Sequence, residues 1–71
     1  MPFVIGGNIR QAQELITRKQ LADCIAVDDP EPLRGLEAPE VILTGTFIAR
    51  HDVQSFYDMF KQTGATYRFV A

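Results

Sequence analysis

The chain has one cysteine, one histidine and no tryptophan, and its seven basic residues are outnumbered by nine acidic ones. Each shortage removes a class of protein. A single Cys24 closes no intramolecular disulfide, and Cys/His spacing for a structural zinc is absent, so a reducing, cytoplasmic setting with no metal and no cofactor is expected. The opening Met1-Pro2-Phe3-Val4-Ile5-Gly6 lacks a basic region ahead of a long apolar run, so neither a signal peptide nor a transmembrane helix is expected. A net charge of −2 and a pI near 5.1 give no footprint for phosphate backbones, and direct nucleic-acid binding is not expected.

What the chain does have is apolar substance: 46% hydrophobic residues, with five Phe and two Tyr, enough for a real core. Its 71 residues are read as one domain, residues 1–71. A chain of this size hides only about 60% of its unfolded surface, and small scaffolds without a staple commonly gain stability by oligomerising. A homo-oligomer is therefore expected.

Phe3-Val4-Ile5, closed by Gly6-Gly7, reads as a strand and a tight turn. Asn8 stands three residues before Gln11, close to a capping box, so a helix should start there, with Ile9, Ala12, Leu15 and Ile16 on one face and Glu14–Arg18 as a favourable pair. Lys19 falls on the same face, so either the helix frays near it or the lysine stem lies along the core with its amine in water. Cys24 to Val27 is a second apolar run, stopped by Asp28-Asp29-Pro30. Residues 28–40 hold three of the four prolines and form an acidic crossover loop, with a helical turn expected to tuck in both Leu33 and Leu36. Val41-Ile42-Leu43 is a third strand, followed by Thr44-Gly45-Thr46. Asp52 opens a second helix with Val53, Phe56, Tyr57 and Phe60 at i, i+3, i+4, i+7, and Gly64 ends it. Thr66 to Val70 is a fourth strand, whose partial alternation suits a sheet edge.

The order βαββαβ admits two folds. One is a minimal Rossmann-like α/β unit with a four-stranded parallel sheet of order 2-1-3-4; the other is a ferredoxin-like antiparallel sandwich. Continuous apolar runs in the first three strands favour burial on both faces, and hence the parallel sheet.

In a parallel sheet the first and third strands flank the topological switch point. Gly6, Gly7 and Asn8 would line it on one side and Thr44, Gly45 and Thr46 on the other, with Arg50 and His51 close behind. Free N–H groups, threonine hydroxyls and a guanidinium suit a phosphate or carboxylate. The same residues also serve ordinary turns and caps, and no complete phosphate-loop motif is present. Asp28, Asp29, Glu31, Glu37 and Glu40 form an acidic surface able to meet a basic partner. His51 has no second group fixed beside it, and Cys24 in its apolar run reads as an inert thiol, so no catalytic residue is assigned.

Val27-Asp28-Asp29 resembles the acidic pair that ends a strand in type I phosphoribosyltransferases, where it holds the donor ribose. Here Pro30-Glu31-Pro32-Leu33-Arg34-Gly35 stands in place of that family's hydroxyl-rich phosphate loop. The chain is also far shorter, which leaves the pair as a strand stop. In size and make-up the chain resembles the small accessory proteins of bacteriophages.

Two functions follow: a non-enzymatic, self-associating module that binds protein, or a small-ligand or nucleotide-binding protein using the switch-point crevice. An enzyme would need residues from two subunits to meet.

Overall fold

The computed structural model describes residues 2–70. Its elements are β1 (Phe3–Ile5), α1 (Ile9–Lys19), β2 (Ile25–Ala26), β3 (Glu40–Leu43), α2 (Val53–Thr63) and β4 (Thr66–Phe69), with 3-10 turns at Glu31–Leu33 and Phe47–Ala49. The strands form one sheet in the order β2-β1-β3-β4, and every pairing is parallel. This is the Rossmann-like arrangement, and the antiparallel sandwich is excluded.

Both helix ends follow local chemistry. Asn8 caps α1 by accepting from the Gln11 N–H at 2.9 Å. Gln20 ends α1 in the left-handed conformation at φ 55°, and Gly64 does the same for α2 at φ 69°, where glycine carries no Cβ penalty. Asp52 stands at the N-cap of α2 without a side-chain capping bond, because its carboxylate is used elsewhere.

The pleat divides the strands between two cores. Ile5, Val41 and Leu43 face α2 and the crossover loop, joining Val27, Leu33, Phe47, Phe56, Met59 and Phe60. Val4 and Ile42 face the other way, onto Ala12 and Leu15 of α1. Chain direction across the sheet reverses after β2, and right-handed connections then place α1 on one face and the crossover and α2 on the other. Phe47 is the hub of the larger core, with ring centroids 5.5 Å from Phe56, 5.8 Å from Tyr57, 6.3 Å from Phe69 and 6.5 Å from Phe60.

Three local expectations need correcting. The turn in the crossover lies at Glu31–Leu33, set by Pro30 and Pro32, so Leu33 is buried while Leu36 remains 40% exposed. β2 is an edge strand and its Ile25 is 42% exposed, so its continuous apolar run did not signal burial on both faces. On α1, Ile9 is exposed, and Glu14 and Arg18 do not close to ion-pair distance.

Candidate functional site

The carboxyl ends of β1 and β3 do meet at the switch point, and the chain fills the crevice itself. Gln11, in the first turn of α1, turns back between the two loops. Its Oε1 accepts from the Gly7 N–H at 2.6 Å, the Thr46 N–H at 3.0 Å and the Thr46 hydroxyl at 3.3 Å. The amide nitrogen donates to the same hydroxyl at 3.2 Å. Two backbone donors converging on one oxygen is the pattern expected for a bound anion, and a neutral carboxamide oxygen occupies that place.

The glycines are shaped around this plug. A Cβ on Gly45, which sits at φ 63°, would overlap Gln11 Oε1, and one on Gly7 would overlap the Thr46 hydroxyl. Close backbone approach is thus needed here for an internal side chain. Asn8 is spent on its cap, while Thr44 is 95% buried as the strand ends.

Arg50, expected to hold an anion, is committed in full. Its Nε donates to Asp52 Oδ1 at 2.7 Å, and its Nη1 donates to the Gly6 carbonyl at 3.0 Å and to Asp28 Oδ1 at 2.9 Å. Its Nη2 donates to the Asp28 carbonyl at 2.7 Å and to Asp52 Oδ2 at 3.2 Å. A guanidinium has five N–H donors, and each has an acceptor. The group lies 4.9 Å from the centre of the Phe56 ring, and the side chain is only 8% exposed. Arg50 therefore ties together the end of β1, the end of β2 and the start of α2. The bonds to Asp52 raise the Arg50 pKa above its ordinary value, and the same bonds hold the Asp52 carboxyl below the usual carboxylate range.

The acidic loop is divided in its roles. Asp28 faces Arg50, Asp29 accepts from the Glu31 N–H at 2.9 Å, and Glu31 forms an exposed ion pair with Arg34 at 2.7 Å. Glu37 and Glu40 are exposed and unpaired among the described residues. His51 is exposed at the entry to α2. Cys24 is half-buried, and burial first, then the neighbouring Asp23 carboxylate, pushes its thiol pKa up, away from nucleophilic character.

Two open features remain. An open groove of about 730 Å³ runs between α1 and the uncovered side of β3 and β4, along Gln11, Leu15, Arg18, Thr44 and Val70. The second is the outer edge of β4. All four of its residues are exposed, with Tyr67 at 46% and Phe69 at 52%, and no strand pairs with its far side among the described residues. Gln11 went unnoticed in the sequence because it matched a capping-box position, and the signal available was its ability to reach either loop. Comparison with family models, with curated proteins and with solved structures finds no match, so function is argued from the chain's own geometry.

Proposed function

We propose that this protein is a small, non-enzymatic, self-associating protein-interaction module that acts through the open edge of β4. One observation carries the reading: a parallel sheet ends in a fully exposed strand whose outward backbone groups are unpaired and whose Tyr67 and Phe69 are half-exposed. Natural edge strands are usually blunted by short length, prolines, bulges or charges, and an unblunted edge is a template for another strand. β2 at the opposite edge is only two residues long and offers no comparable template. β4 carries one charge, Arg68, and no proline.

The state of the crevice supports the same reading. With Gln11 seated on the convergent N–H groups and every Arg50 donor engaged, a phosphate would have to displace internal bonds to enter. A free, half-buried thiol fits a reducing, cytoplasmic setting.

The test is sedimentation velocity over a concentration series, on the parent and on Tyr67→Pro. The Tyr67 N–H points away from β3, so proline there removes an outward donor without breaking the internal ladder. The parent should sediment as a dimer or larger and the variant as a folded monomer. A parent that stays monomeric at the highest attainable concentration would refute the proposal. Melting curves with nucleotides and phosphorylated metabolites supply the contrary arm, since a ligand at a hundredfold its Kd stabilises by about 2.7 kcal/mol.

A further inference from the structure

β4 has an inner and an outer set of backbone groups. The Thr66 N–H donates to Pro39 O at 3.0 Å and the Val70 N–H to Leu43 O at 2.8 Å, so 66, 68 and 70 face β3. Tyr67 and Phe69, out of phase with them, turn N–H and C=O to the open side. In an antiparallel pair of identical edges, outward residues must oppose outward residues, so a two-fold axis passes through a residue; one through Thr66 would set Phe69 against Thr63 in α2 of the other copy, which leaves Tyr67, Arg68 and Phe69.

Charge and overlap separate these three. An axis through Arg68 sets two arginines directly opposite, about 4.5 Å apart at Cα, which like charge opposes. An axis through Phe69 leaves Thr66 beyond the end of the second strand. An axis through Tyr67 keeps the whole of Thr66–Phe69 in the overlap and sets Arg68 opposite Thr66 of the second copy.

We infer that the occupant of the β4 edge is a second copy of this chain, antiparallel and centred on Tyr67, so that the two sheets join into one. The inference rests on the proposed function above and names its partner and register. At the axis each Tyr67 exchanges N–H and C=O with its mate, and each Phe69 N–H reaches the Ala65 carbonyl of the other copy. Thr66 neighbours Glu40 on β3, so Arg68 of one copy lies two strand spacings, about 10 Å at Cα, from Glu40 of the other. Two extended side chains span that distance. Within one chain neither Arg68 nor Glu40 has an ion-pair partner among the described residues, and this register gives each one. On the opposite face the two Tyr67 rings meet, continuing the aromatic run from Phe60, whose ring centre is 5.0 Å from that of Tyr67.

Disulfide trapping tests the register in a Cys24→Ala background, with sedimentation of each variant before oxidation. An equimolar mixture of Thr66→Cys and Arg68→Cys proteins should cross-link as the mixed dimer, whereas a Thr66→Cys, Val70→Cys double variant, which keeps Arg68 and sets 66 opposite 70 only about an Arg68 axis, should not. Glu40→Arg should weaken the dimer roughly tenfold, and adding Arg68→Glu should restore it. A dimer in which the Thr66→Cys, Val70→Cys variant cross-links, or in which the charge reversal restores nothing, would overturn the register and leave edge association standing. A dimer indifferent to every β4 substitution, or a monomer, would overturn both.

Discussion

Replacing Arg50 discriminates between an architectural arginine and a ligand-binding one. Arg50→Ala removes a side chain that is 8% exposed and strands the Gly6 and Asp28 carbonyls together with two carboxylates. Stripping one partner from a buried ion pair costs about 3–5 kcal/mol. The lower end applies here, because the Asp28 side chain is 49% exposed and that of Asp52 25%, so both regain water readily. The expected loss is about 3 kcal/mol, against a total of about 4–10 kcal/mol for a chain of this length. Arg50→Lys keeps the charge but offers three donors from one point, and should lose about 1.5–2 kcal/mol. Urea unfolding followed by far-UV circular dichroism, at fixed protein concentration, would read the difference as a midpoint lowered by about 3 M for alanine, taking a slope near 1 kcal/mol/M. An Arg50→Ala protein within about 0.5 kcal/mol of the parent, an ordinary surface effect, would refute the assignment and return Arg50 to the pool of free anion donors.

Further outcomes follow from the same structure. Gln11→Ala should cost about 1–2 kcal/mol in chemical denaturation, since two backbone donors lose their acceptor, whereas Gln11→Glu should recover that loss at neutral pH by placing a carboxylate at the same donors in the first turn of α1. Phe47→Ala should cost about 3–5 kcal/mol, a large share of the total, visible as a thermal midpoint lowered well below that of the parent. Gln20→Gly should stabilise by about 0.5–1 kcal/mol, because Gln20 sits at φ 55° where an L-residue is strained. For Asp52, the folded pKa lies below its ordinary 3.8. Its contribution is therefore complete above that ordinary value and is lost as pH falls through the folded one. Acid titration of stability below about pH 4 should be visibly shallower in Asp52→Asn.

The fold was legible because its signals are local. Three apolar runs bounded by glycine or proline marked β1, β2 and β3, the i, i+3, i+4, i+7 spacing marked α2, and Asn8 and Gly64 stand at the helix ends where the sequence placed them. Details failed where one residue's fate depends on distant chain. Leu33 and Leu36 look equivalent in sequence, and only the 3-10 turn after Pro30 decides which one enters the larger core. Phe47 and Met59 read as ordinary apolar residues, yet both belong to the larger core.

The candidate site shows the same division more sharply. Its backbone frame, Gly6-Gly7-Asn8 against Thr44-Gly45-Thr46, follows from the parallel topology and was legible once that topology was chosen. Its occupant was not, because Gln11 and Thr46 lie 35 positions apart and Arg50 and Asp28 lie 22 apart. The residue types there fit an anion, since an anion and a carboxamide oxygen ask the same of a pair of N–H groups. An internal oxygen costs no loss of translational freedom, and in so small a domain every closed bond at the sheet's carboxyl end counts against a total stability of only a few kcal/mol. A chain with little core thus has reason to spend its switch point on cohesion. On the function proposed above, recognition falls to the sheet edge, where pairing with a second copy would add backbone hydrogen bonds and cover apolar surface in one step. Tyr67→Pro places the two demands in opposition when set beside Tyr67→Ala, which loses the same ring packing on Tyr57 and Phe60 but keeps the outward N–H: a proline variant that unfolds where the alanine variant stays folded would show that this edge is needed for folding itself.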